Sequence, residues 1–193
     1  MIKQCARSIT SFLMQKNIIS IEDQEIYRYG TEQILINLTT FTVLAIIATS
    51  IKGWHETIFF LIGIVPIRVV AGGYHANTPE KCNVLTILVY LFNMLIIHFI
   101  KKYMSFVLVI FFLSIMIVSV FIFAPVDHKN KVLTQDEGIK AKKNSRIISI
   151  ILAIACLAIA VVYEPKNNIL ISTMMGAMTA SVSLIIGNYR RVR

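Results

Sequence analysis

A histidine and a cysteine seven residues apart, His75 and Cys82, stand in a polar interruption at 68–82 of an otherwise very apolar chain. An imidazole near a thiol is base-and-nucleophile chemistry: the thiolate attacks a carbonyl and the imidazole manages the proton. On one unbroken helix the two would share a face but lie two turns apart, roughly 10 Å along the axis, too far for proton transfer. The chain must therefore bend between them. Thr78-Pro79 supplies the bend, because threonine caps helix N-termini, proline fits the first helical position, and Glu80 suits the positive end of the dipole. Cys82 then falls in a first helical turn, where the dipole favours thiolate over thiol and a nearby imidazole adds to the effect. Gly72 and Gly73 allow a tight reversal before His75 and could leave amide N–H groups facing an oxyanion. Taken singly, a glycine pair is ordinarily a turn, a cysteine packing, and a histidine a hydrogen-bonded interfacial residue.

Together the residues resemble the signature of the accessory gene regulator B (AgrB) family of membrane peptidases: an arginine, a glycine turn, His-Ala, and a cysteine seven residues after the histidine. Here these are Arg68, Gly72, Gly73, His75, Ala76 and Cys82. Tyr29-Gly30-Thr31-Glu32, Ala124-Pro125 followed by Asn130-Lys131, and Glu164-Pro165 are similar to the family as well, although Val132 stands where a proline often follows. The resemblance implies that Cys82 is the nucleophile and His75 its base. It also implies an AgrD-like substrate, a small membrane-associated precursor of a cyclic quorum-sensing signal with an acidic C-terminal tail.

The body that must position these groups is legible in the composition. With 56% hydrophobic and only 15% charged residues, and a mean hydropathy of +0.73, the chain is too apolar for a soluble domain. The expected fold is all-α: a polytopic integral membrane protein of about six transmembrane helices with an N-terminal amphipathic helix. Ile2, Ala6, Ile9, Phe12 and Leu13 share one face of that first helix, which suits a position on the membrane surface. Ser20, with Glu22 and Asp23 behind it, reads as the start of a helix that runs on into the first span. The apolar segments are 34–51, 57–71, 84–100, 104–125, 147–163 and 169–187, all within a single membrane-embedded domain over 1–193. Residues 1–33 form its cytoplasmic or interfacial start and 188–193 its basic tail.

The segment at 57–71 holds Pro66 and Arg68, and either crosses with the arginine at the interface or dips and returns. Charge separates the two. Six crossings with the N-terminus inside place 15 of the 19 Lys and Arg residues inside and 4 outside, whereas a failed second crossing gives 7 and 12. The positive-inside rule selects six crossings, with both termini and the active site on the cytoplasmic side; the family resemblance implies that the membrane is that of a bacterial cell.

The net charge of +9 then reflects loops facing anionic lipid rather than nucleic acid. Cys5, Cys82 and Cys156 are too few and too scattered for a disulfide framework or a zinc cluster, so neither metal nor cofactor is expected. Arg68 is a candidate for substrate or transition-state positioning, with Gly72 and Gly73. Asp127, placed at the same membrane face, is the candidate third member beside His75. Lys129, Lys131, Lys140, Lys142, Lys143 and Arg146 make the 126–146 stretch either a solvated topogenic loop or a docking surface for an acidic peptide. A homodimer is left open. The competing function class is a small transporter or channel in which the His/Cys loop is structural; the spans lack the intramembrane acidic residues and paired broken helices that such sites use.

Overall fold

A computed structural model describes residues 2–74, 76, 78–126 and 134–192. Seven α-helices and one short 3-10 turn account for the elements among the described residues: α1 Ile2–Gln15, α2 Gln24–Ser50, α3 Trp54–Ala71, α4 Pro79–Ile100, the turn Lys101–Tyr103, α5 Phe106–Phe123, α6 Gln135–Tyr163 and α7 Asn168–Val192. All but α1 are long and apolar enough to cross a membrane, in agreement with the six expected spans. The helix expected to continue through Tyr29-Gly30 into the first span does so as α2.

Two boundaries differ from the sequence reading. Ser20 does not cap α2. Its hydroxyl accepts from the Asp23 amide at 3.2 Å and donates to the Asp23 carboxylate at 2.7 Å, closing a turn one step before the helix begins. The second difference is larger. Residues 135–146, read as part of a polar loop, are the first three turns of α6. They are started by a capping box in which Thr134 accepts from the Glu137 amide at 3.3 Å and the Glu137 carboxylate accepts from the Thr134 amide at 2.9 Å. With both orphan amides satisfied, the helix can extend well beyond its apolar part.

The chain divides into two compact units, Met1–Ile51 with Asn77–Leu88, and Lys52–Ala76 with Val89–Arg193. In the first, α1 packs on α2 by Ala6 and Thr10, both fully buried, so Ala6 is taken up by that contact while Ile9 and Phe12, read from the sequence as part of the same apolar face, stay exposed.

In the second unit α7 is the central helix: Leu170, Ile171, Met174, Ala180 and Leu184 are fully buried. α3 lies directly against it. A Cβ added at Gly63 would overlap the Thr173 carbonyl, and one at Gly176 the Phe60 carbonyl, so each glycine is where the opposite backbone passes. Polar fasteners tie the later part of α4 to each of these helices and the two helices to each other. Thr57 and Tyr90 hydroxyls meet at 2.5 Å, Thr179 donates to Asn93 at 3.2 Å, and Asn168 donates to Glu56 at 2.7 Å. In a medium without water such bonds are the alternative to an unsatisfied polar group, which is why Asn93 is tolerated in a span. On the outside, Val107, Phe111, Val118 and Ile122 of α5 remain exposed, forming an apolar surface suited to acyl chains.

Contacts at both ends fix the direction of packing. Glu56 and Asn168 bring together the starts of α3 and α7, while their other ends meet around Arg68 and Ser183. The end of α5 joins the latter group through Val126, whose amide donates to the Ala71 carbonyl at 2.9 Å.

Candidate functional site

α3 stops at Ala71 because the next two residues take backbone conformations that side chains disfavour, with φ of 75° at Gly72 and 136° at Gly73. The Gly72 amide donates to the Arg68 carbonyl at 3.1 Å, completing the helix. It is therefore not available to an oxyanion, which corrects that part of the sequence reading for Gly72. Gly72 also pairs with Val126 in an isolated parallel bridge, and a Cβ there would overlap the Val126 carbonyl. Both glycines are thus required by conformation and by space. At Gly73 a Cβ would come within 2.6 Å of Arg68 Nη1 and 2.7 Å of Ser183 Oγ.

The arginine closes the turn over. Arg68 Nη1 and Nη2 donate to the Tyr74 carbonyl at 3.2 and 3.1 Å, and Nη1 also donates to Ser183 Oγ. On the other side, the Tyr74 amide donates to the Ser183 carbonyl at 2.9 Å and lies 3.0 Å from Ser183 Oγ. Tyr74 is held at both its amide and its carbonyl. Gly187, one helical turn beyond Ser183 on α7, supplies the clearance, since a Cβ there would sit 2.8 Å from the Tyr74 amide nitrogen. Ser183 and Gly187 were not found from the sequence. The signal was present as a small residue followed four positions later by glycine, but that pattern in a span points to helix contact and not to which segment makes it.

Cys82 belongs to the first unit and is described within it. α4 begins at Pro79, and Thr78 accepts from the Lys81 amide at 3.3 Å through its hydroxyl and from the Cys82 amide at 3.1 Å through its carbonyl. This is the expected N-cap, with Cys82 closing the first turn and its side chain half-buried. Next to it, Asn83 accepts from Thr40 of α2 at 2.6 Å, tying the start of α4 to the first span. Cys5 is exposed and Cys156 buried, the latter on the small-residue face of α6 with Ser145, Ser149, Ala153 and Ala160.

His75, Asp127, Lys129 and Lys131 lie outside the described residues. Of the other expected cations, Lys140, Lys142 and Lys143 are exposed on α6. Arg146 turns toward α5, donating to the Phe121 carbonyl at 3.2 Å with its guanidinium 4.8 Å above the Phe121 ring. Lys142, Lys143 and Arg146 share one face of α6 with Ile139, Ile147 and Ile150; Lys140 is outside that group. Among the described residues no group of three or more His, Cys, Asp or Glu is placed to hold a metal ion.

The chain matches the family model described as accessory gene regulator B over residues 6–185. Two AgrB-like proteins of Clostridium perfringens are similar to it along most of their length. That of strain SM101 is 27% identical over 200 residues, covering 97% of this chain and 94% of the relative, and that of strain 13 is 29% identical over 198 residues, covering 96% and 91%. No solved structure matches. The match runs from within α1 to the far part of α7, and the chain, a multi-pass membrane protein, belongs to the accessory gene regulator B family.

Proposed function

We propose that the protein is a membrane cysteine endopeptidase that removes the C-terminal tail of a small AgrD-like precursor and promotes ring closure of what remains. His75 takes the Cys82 proton, and the sulfur attacks the carbonyl carbon of the scissile bond. The resulting oxyanion collapses, the C–N bond breaks, and the proton held by His75 passes to the departing amine, so the tail leaves with a new amino terminus. A thioester to Cys82 remains. A substrate thiol held close then attacks that carbonyl, forming a thiolactone and returning Cys82 as a thiol; a substrate serine would give a lactone. One thioester replaces another, so the step needs no ATP, and an apolar site that keeps water out protects it from hydrolysis.

The observation that carries this reading is the position of Cys82, seven residues after His75 in the sequence, in a capped first helical turn. Arg68 acts in it by holding the glycine turn. Asp127 follows Val126, which is paired with Gly72, and serves as the orienting carboxylate for His75. The exposed lysines of α6, with Lys129, Lys131 and Arg146, receive the acidic tail, and the excess of Lys and Arg in these loops supports a cytoplasmic location for the reaction.

The test uses purified protein in lipid with a synthetic precursor carrying an amphipathic leader, a central cysteine and an acidic tail. Cys82→Ala should abolish cleavage and His75→Ala nearly so, while Cys5→Ala, Cys156→Ala and His98→Ala cleave close to the wild-type rate. Full cleavage by Cys82→Ala would remove the peptidase reading.

A further inference from the structure

The Tyr74 peptide is the last described main-chain unit before His75, and one side chain from the far end of the chain reaches both of its fastenings. We infer that Ser183 is a positioning residue for the reaction: its hydroxyl links the Tyr74 amide to the Arg68 guanidinium and so fixes Tyr74, the residue that precedes His75 in the sequence. This rests on the peptidase reading given above.

Four observations converge on it. Ser183 Oγ is 3.0 Å from the Tyr74 amide, whose N–H points to the Ser183 carbonyl at 2.9 Å as well, so the amide is anchored to α7 twice. The same hydroxyl accepts from Arg68 Nη1, and that guanidinium holds the Tyr74 carbonyl from its other side. The Tyr74 carbonyl belongs to a planar peptide group, so holding it together with the Tyr74 amide fixes the two soft torsions of Tyr74. Gly73, with φ of 136° and no room for a Cβ against Arg68 and Ser183, lets the backbone pass between those two side chains. A hydroxyl suits this place because it can accept from a charged donor in surroundings where an unmet donor is costly.

α7 offers its own control. Ser181 is fully buried two residues away, and its hydroxyl donates at 3.0 Å to the Ala177 carbonyl of its own helix. It is a serine with a packing role only.

The experiment compares Ser183→Ala, Ser183→Thr and Ser181→Ala with the wild type and Cys82→Ala, in lipid, on the synthetic precursor described above. Loss of a hydrogen bond to a charged partner next to the base predicts that Ser183→Ala lowers kcat about tenfold or more with KM changed less than about twofold. Ser183→Thr, which keeps the hydroxyl, should recover most of the rate, and Ser181→Ala should match the wild type. Hydrogen exchange of the peptide covering 72–76 should quicken in Ser183→Ala and not in Ser181→Ala. Wild-type kcat in Ser183→Ala with an inactive Cys82→Ala would overturn this inference alone, as would equal losses in Ser183→Ala and Ser181→Ala. Cleavage by Cys82→Ala would overturn the peptidase reading and this inference with it.

Discussion

The turn at 72–74 and the first turn of α4 are fixed in different ways. The turn is held from a distance: Arg68 lies one helical turn back, but Ser183, Gly187 and Val126 come from α7 and the end of α5, more than fifty positions along the chain. The start of α4 is held mostly by its own neighbours, with Thr78 capping from four residues before Cys82 and one bond from Thr40 of α2. Tertiary contacts that all must coexist make a site intolerant of change, whereas a helix cap contributes an increment that a stable span can partly do without. The glycine turn should therefore respond to substitution as an all-or-none element and the cysteine turn as a graded one.

The larger expected effect is at Gly73. Gly73→Ala asks a side chain to adopt φ of 136° and places its Cβ against Arg68 Nη1 and Ser183 Oγ. A backbone cost of about 1–3 kcal/mol comes on top of broken clamping bonds, so cleavage should fall by about a hundredfold or more. A Gly73→Ala enzyme with near-native kcat would show that the turn is not held as described.

The smaller effect is at Thr78. Thr78→Ala removes the hydroxyl that accepts from the Lys81 amide while leaving the carbonyl bond to Cys82 in place, a loss of about 1 kcal/mol that should lower the cleavage rate about fivefold. Thr78→Ser should restore it. If Thr78→Ala were as damaging as Gly73→Ala, the contrast between the two regions would disappear.

The sequence made one of these regions far more legible than the other. Thr78, Pro79 and Cys82 sit within five positions, and a cap, a proline at the first helical position and a cysteine behind them are local facts with local consequences. Hydropathy made the six spans legible for a similar reason. The extension of α6 back to Gln135 was missed although its capping box, Thr134 with Glu137, was in plain view, because cations and amides around it carry no apolar periodicity. Ser183 and Gly187 were beyond local reading altogether. In an apolar span they look like any small residues at helix contacts. Their meaning comes only from the glycine turn they receive, which lies more than a hundred residues earlier.

The most direct measurement of the central claim is the intact mass of the enzyme during turnover of a precursor whose ring-closing cysteine has been replaced by alanine. With no internal thiol to accept the acyl group, the account predicts that the enzyme gains the mass of the N-terminal fragment less one water, that the adduct maps to Cys82, and that hydroxylamine removes it as a thioester should be removed. Release of the acidic tail from this precursor with no adduct on Cys82, or with an adduct on Cys5 or Cys156 instead, would contradict it.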